Sequence, residues 1–332
     1  MPSLFLTTQG SHVRKEGERL IVEKDDEVLA EIPCLKIDTV VVYGLVHFTA
    51  PALFELLDQG IELAFLTLSG KLRGQLTPGK ARNTPLRMTQ FRRADDAAFC
   101  LGFAREVVRA KVANTLALVK RFRANHPERP EKPVAELERA LARLDSVASL
   151  DELRGVEGGA AACAFEALEW RIAPEWGFHG RNRRPPRDPM NALLSFGYVL
   201  VGNELQSLLD AMGFDPFVGF YHQVDYGRPS LALDLLEELR PALVDRFSAN
   251  LLNLGALSKD DFTSTPQRGC FLKPEGLKKY FAAYQRELNE PIALPGEAEG
   301  TLSFREIFRR QAERLAKHLL QGEPYAGFRY PC

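Results

Sequence analysis

The residues best equipped for chemistry lie between 219 and 241, in the stretch GFYHQVDYGRPSLALDLLEELRP. One imidazole, His222, precedes three acids, Asp234, Glu237 and Glu238. A histidine and carboxylates this close in the chain suit a mixed nitrogen and oxygen ligand set for a divalent cation, provided that a further carboxylate joins them. At about 100° per residue and with Asp234 at zero, Glu237 falls at about −60°, Asp245 at about +20° and Glu238 at about +40°. Ala232, Leu235, Leu236, Leu239, Leu243 and Phe247 fall on the other side, which predicts an amphipathic helix with an acidic ridge. On an arbitrary helix such a ridge faces water, and a lone histidine is more often a core group than a ligand, so both readings stand beside the metal reading.

A further carboxylate is available at Glu157, in LRGVEGGAAACAFEALEW (153–170). Gly158 and Gly159 follow it, and a glycine inside a helix costs about 1 kcal/mol relative to alanine. Close approach of a ligand or of another helix would each account for them. A second tract, FHGRNRRPPRDPMNALLSFGY (178–198), holds Arg181, Arg183, Arg184 and Arg187 within seven residues, against Glu175 and Asp188 nearby. Guanidinium groups pair with phosphate oxygens in fork geometry, and prolines hold such a loop extended. With Phe178, Phe196 and Tyr198 close by, and Arg87, Arg92 and Arg93 able to add to the patch, nucleic-acid binding is the favoured reading over a solvated loop.

These groups need a scaffold. Residues 1–86 have the period of a sheet: 4–9, 19–24, 27–32, 36–44, 61–67 and 71–76 read as short strands, KDDE (24–27) as a hairpin turn, and 50–60 as one helix ending at Gly60. Residues 77–87, with two prolines and three basic side chains, read as a linker. From 88 to 332 the period is helical, with helices expected at 87–125, about 134–146, after a Ser149 cap, and near 188–212, 230–252, 274–290 and 302–320. The expected class is α+β: a small, sandwich-like β domain with one helix, then a larger all-α domain.

With 332 residues, 45% of them apolar, the chain has ample material for a packed core, and its formal net charge of −1 specifies no partner by itself. The five cysteines include no C-x-x-C pair, which argues against a disulfide framework and a cysteine zinc site. No basic leader with a long apolar run opens the sequence and no 18 consecutive residues are apolar, so a cytoplasmic protein without a membrane partner is expected.

Taken together, VEGGAAACAF, FHGRNRRPPRDPMNALLSFGY and the stretch from GFYHQ to DLLEELRP resemble the CRISPR adaptation integrase, or Cas1 endonuclease, family, and the wording is most like its subtype I-C branch. The resemblance runs along the whole chain. It implies one catalytic Mn²⁺ or Mg²⁺ held by Glu157, His222 and Glu237, with Asp234 as a further acidic residue at the site and Arg240 beside it as a DNA-binding residue directed toward phosphate. The direct acidic ligand varies in the family, which leaves Asp234 and Glu237 as alternatives. It implies insertion of prespacer DNA into a CRISPR repeat by attack of a 3′-hydroxyl on a phosphodiester. It further implies a homodimer joined through the β domains, a heterohexamer with the small Cas2 protein, and a Cas4 nuclease in subtype relatives. A general metal-dependent nuclease acting on branched DNA or RNA is the alternative enzyme, and a nucleic-acid-binding scaffold the non-enzymatic one.

Overall fold

The computed structural model describes residues 3–331 except 38, 68–71, 79–82, 268 and 295–299. The chain divides into two compact units, Met1–Ala81 with Leu272–Arg286, and Arg82–Phe271 with Glu287–Cys332.

The first unit carries β1 (Ser3–Leu6), β2 (Ser11–Glu16), β3 (Arg19–Lys24), β4 (Glu27–Pro33), β5 (Thr39–Tyr43), β6 (Val46–Phe48), α1 (Ala50–Asp58), β7 (Glu62–Leu66) and β8 (Leu72–Leu76). They form two four-stranded sheets, ordered β1-β5-β7-β8 and β4-β3-β2-β6. Side chains of both sheets and of α1, among them Val13, Leu20, Val40, Leu56 and Leu63, share one hydrophobic core. The expected KDDE turn is a two-residue hairpin in which Asp25 and Asp26 both take positive φ, 50° and 64°, matching the right-handed twist of β3 and β4. The periodicity missed β2 and β6. In β2 only Val13 is apolar among SHVRKE, so alternation has little to register.

The second unit holds α2 (Thr84–Ala94), α3 (Ala97–Asn125), α4 (Lys132–Arg143), α5 (Leu150–Glu169), α6 (Pro189–Met212), α7 (Ser230–Leu239) and α8 (Arg246–Asn253). These are followed in the chain by β9 (Phe262–Thr265), β10 (Gly269–Leu272), α9 (Pro274–Asn289), most of which belongs to the first unit, β11 (Ile292–Ala293), β12 (Thr301–Leu302) and α10 (Phe304–Gln321). The all-α expectation is corrected by the β9-β10 and β11-β12 ribbons, each too short to show a period. Leu272–Arg286, within the expected 88–332 domain, packs with the first unit. There Phe281 stacks on Phe5 with ring centres 4.7 Å apart and meets Tyr43 at 4.5 Å.

Capping residues explain the other boundaries. The expected linker gives way to α2 at Thr84, where Asn83 accepts the Leu86 N–H, while its residues 79–82 lie outside the described ones. The single helix expected over 87–125 is split by Asp96, whose carboxylate accepts the N–H groups of Ala98 and Phe99. Ser149 caps α5 as expected, its hydroxyl accepting the Glu152 N–H at 3.2 Å.

Val108, Val112 and Leu116 of α3, Leu137 of α4 and Leu153, Val156 and Ala160 of α5 form one core. α3 also packs along α7, and α6 along α7, α8 and α10. α6 is long and apolar enough to cross a membrane by length and composition alone, but it serves here as a central packing helix.

Between α7 and α8 the expected continuous helix widens into a π-helix over Arg240–Asp245. Pro241 has no N–H for the Glu237 carbonyl, which removes the α-type bond at that point. The wider turn takes up an extra residue, so positions beyond it fall about 100° behind an uninterrupted helix. Asp245 therefore leaves the acidic ridge on which uniform spacing put it.

Candidate metal and nucleic-acid site

Asp234 lies on α7 and is completely buried. Its Oδ2 accepts the N–H groups of Phe220 (2.7 Å) and Tyr221 (3.0 Å), and its Oδ1 accepts the His222 N–H at 2.8 Å. The same Oδ1 lies 2.8 Å from His222 Nδ1. With both oxygens committed, Asp234 is an anchor for the loop and an orienter of the imidazole. A proton on Nδ1 directed at Asp234 leaves Nε2 as the free lone pair, the arrangement by which carboxylates prepare histidine ligands. Nε2 points toward Glu237 Oε1 at 3.5 Å.

Gly219 makes this approach possible. A Cβ there would lie 2.8 Å from both Asp234 Oδ2 and the Ser230 carbonyl carbon, closer than a side chain can sit. Phe220 and Tyr221 anchor the loop from the other side, Phe220 edge-on to Phe99 and Phe103, and Tyr221 within the α3-α4-α5 core. Gln90, fully buried on α2, binds the backbone of Asp215 and Val218 just ahead of the loop. Arg154 of α5 donates to the Tyr221 carbonyl at 3.0 Å.

Glu237 is also buried, and Lys111 of α3 draws it to Glu157 of α5. The Lys111 ammonium contacts Glu157 Oε1 and donates to Glu237 Oε2 at 2.7 Å, so two carboxylates from different helices share one cation. Arg240 adds a contact to Glu237 Oε1 at 2.9 Å. Burial alone would raise the pKa of Glu237, but the charges of Arg240 and Lys111 outweigh it and bring it down to about 2. Burial likewise opposes the charge on Lys111, and the two glutamates overcome it, leaving its pKa raised.

Glu157, His222, Asp234 and Glu237 therefore come together from α5, α7 and the loop before α7. Among the described residues no three His, Cys, Asp or Glu side chains are drawn close enough to cage a metal. The donor set nonetheless fits Mn²⁺ or Mg²⁺: one imidazole nitrogen facing a carboxylate, and two carboxylates already converging on a single positive charge. Glu237 rather than Asp234 offers oxygens to that position, since those of Asp234 are spent on the loop.

The other two acids of the ridge are neither solvated nor part of this cluster. Glu238 does not face water; it is fully buried and accepts bonds from Gln311 Nε2 (3.0 Å), the Tyr325 hydroxyl (2.9 Å) and the Phe328 N–H (2.9 Å). Asp245 accepts the Tyr198 hydroxyl, and burial raises its pKa to about 6 even though that bond and the charge of Arg240 oppose the rise. The glycines after Glu157 are not packing notches, because a Cβ at Gly158 or Gly159 would meet nothing within 4 Å.

The arginine tract divides. Arg181 turns inward, donating to Asn191 Oδ1 at 2.8 Å and Ser195 Oγ at 3.0 Å, and its guanidinium lies 5.6 Å from the Tyr198 ring centre. Arg240 lies 4.8 Å from the same ring, so Tyr198 joins the root of the tract to the residue beside Glu237. Arg183, Arg184 and Arg187 are exposed, and among the described residues none of them has an ion pair.

Comparison with known proteins gives the family. Residues 4–286 match the model described as CRISPR associated protein Cas1. The chain belongs to the Cas1 family. It is 35% identical over 332 residues to the CRISPR-associated endonuclease Cas1 3 of Thermus thermophilus, covering 97% of this chain and 96% of that relative. Two solved structures share the fold at 24% identity. A casposase bound to integration product has a TM-score of 0.87, covering 100% of this chain and 94% of the other. A Cas6-RT-Cas1–Cas2 complex has a TM-score of 0.84, covering 100% of this chain and 36% of the other.

Sequence reasoning missed Lys111, Arg154 and Gln90. Lys111 had a signal: it stands between Ala110 and Val112, among the buried positions 107, 108, 110 and 112 of α3, where a lysine needs a partner.

Proposed function

We propose that this Cas1-family chain is the endonuclease and integrase of CRISPR adaptation, inserting prespacer DNA at a repeat boundary. The observation that carries the reading is the convergence of Glu157 and Glu237 on the Lys111 ammonium, with His222 Nε2 3.5 Å from Glu237 Oε1. Mn²⁺ or Mg²⁺ bound there would neutralise phosphate charge and orient the scissile group. Asp234 holds the imidazole in its ligand tautomer, and Arg240 fixes the Glu237 carboxylate. In the strand-joining step the 3′-hydroxyl oxygen of the prespacer bonds to phosphorus, the repeat's own P–O bond breaks, and the proton passes to the departing oxygen. One phosphodiester replaces another, so no nucleotide cofactor is consumed. With water as nucleophile the same site would cut without joining, which is the general nuclease reading.

The exposed Arg183, Arg184 and Arg187 are proposed to bind the DNA backbone, with Arg181 shaping their loop. A homodimer through the β domains, arranged as a sandwich of the two sheets, an assembly with Cas2 as a heterohexamer, a Cas4 nuclease as end processor, membership of the subtype I-C branch and a cytoplasmic location complete the proposal. The wording of the arginine tract and the Cas2-containing complex among the fold's neighbours support parts of it.

The decisive experiment combines the chain with Cas2, a prespacer duplex, a repeat-bearing plasmid and Mn²⁺. Covalently joined strands are expected; free ends alone would replace the integrase reading by the nuclease one. Replacing Arg183 and Arg184 by alanine is expected to reduce the salt slope of DNA affinity by up to about one unit per lost phosphate contact. An unchanged slope removes the tract from the DNA surface.

A further inference from the structure

Lys111 is the one site residue with no place in the chemistry above, yet it is central to the geometry. Its ammonium contacts Glu157 on one side and Glu237 on the other, and only 13% of its side chain is exposed. For Glu157 it is the only ion-pair partner among the described residues, whereas Glu237 also has Arg240. A hard divalent cation needs carboxylate oxygens at about 2.0–2.2 Å, and the ammonium's donors already occupy the space between the same oxygens. Two cations cannot share that space. An ammonium is a compact charge on a flexible four-carbon stem, suited to vacating a position that a planar guanidinium stacked on an aromatic ring, such as Arg240 on Tyr198, would hold.

We propose that Lys111 is an internal competitor of the divalent metal: it bridges Glu157 and Glu237 in the metal-free protein and is displaced as the metal binds. This rests on the metal reading given under Proposed function. The bridge keeps α3, α5 and α7 assembled without metal, since two carboxylates from separate helices would otherwise face each other with less compensating charge. It also sets the free-metal concentration at which the site fills, because each binding event must first break two charge-assisted bonds.

The test uses the intact chain without DNA. Lys111→Met, which keeps the apolar stem and removes the charge, is titrated with Mn²⁺ by calorimetry, and thermal unfolding is followed with and without metal. The variant is expected to bind Mn²⁺ about tenfold tighter or more, to unfold at a lower temperature than wild type without metal, and to gain more from metal. Equal or weaker affinity overturns the competition while leaving the metal site intact. Absence of Mn²⁺ binding by both proteins overturns the metal reading and the competition with it. Should Lys111→Met not fold, the wild type alone decides. Reductive methylation of Lys111, followed by mass spectrometry, is expected to rise when Mn²⁺ is added, and unchanged labelling refutes displacement.

Discussion

Alanine at Glu157 or His222 is expected to abolish strand joining, and Asp234→Asn to slow it about 100-fold or more. The first removes one of the two carboxylates that share the Lys111 cation, and the second removes the imidazole that faces Glu237. The third keeps size and shape but replaces an oxygen by an amide that donates. Asp234 receives donors at both oxygens, from Phe220 and Tyr221 on one side and from His222 on the other. Either orientation of an asparagine therefore sets its NH₂ against a donor. If it faces Oδ1's partners, His222 Nδ1 must accept, the proton moves to Nε2, and the ligand lone pair is lost. If it faces the loop N–H groups, the GFYH backbone is pushed away, at about 1–3 kcal/mol for each buried donor left unmade. Joined product is measured on the repeat-bearing plasmid, with thermal unfolding reporting the fold. Wild-type rates in Asp234→Asn would show that its bond to Nδ1 does not set the tautomer, and wild-type rates in Glu157→Ala would remove that residue from the site.

The second large effect is on stability. Glu238→Ala is expected to destabilise the second unit by about 3 kcal/mol or more, because the Phe328 N–H and Tyr325 hydroxyl are left without their buried acceptor. Gln311 keeps a second partner in the Ala326 carbonyl, and Asn114 still spans the Glu238 and Phe328 carbonyls. The loss should therefore concentrate in residues 323–330, read as faster hydrogen exchange and proteolysis there. Burial raises the Glu238 pKa to about 7 against the three bonds and the Arg314 charge that lower it. The sign follows: a carboxyl with a folded pKa above its unfolded value contributes stability that is full below about pH 4 and is lost as pH rises through about 7. Denaturation of wild type should become easier across that window, and Glu238→Gln should flatten the dependence. A pH profile unchanged by Glu238→Gln would assign the titration elsewhere.

The parts of this molecule readable from sequence are those whose signal is local. The Ser149 cap, the Gly60 stop, the Asp25-Asp26 turn and the periods of α4, α6 and α10 depend on residues a few positions apart. So does the pairing of His222 with acids on the next helix. The acidic ridge shows where that reading stops. Asp234, Glu237 and Glu238 are three faces of one helix with three duties, fixed by what arrives from afar: the 219–222 loop for Asp234, Lys111 for Glu237, and the segment around Phe328 for Glu238. The last has no helical or strand period, so nothing in its composition announced that it would cover an acid. Leu272–Arg286 likewise has a clear helical period, but period does not say which unit its aromatic residues will join.

The π-turn at Pro241 bears on how this region tolerates changes of length. A helix holding one surplus residue has already absorbed an insertion. Losing a single residue from Arg240–Asp245 would restore the α spacing and leave the faces of α8 where they now point, with Arg246 still directed at Glu287. Gaining one would require a second defect or a rotation of α8 by about 100°. Related sequences aligned here should accordingly tolerate a one-residue gap more readily than a one-residue insert, and a shortened version would need a residue with a free N–H in place of the proline.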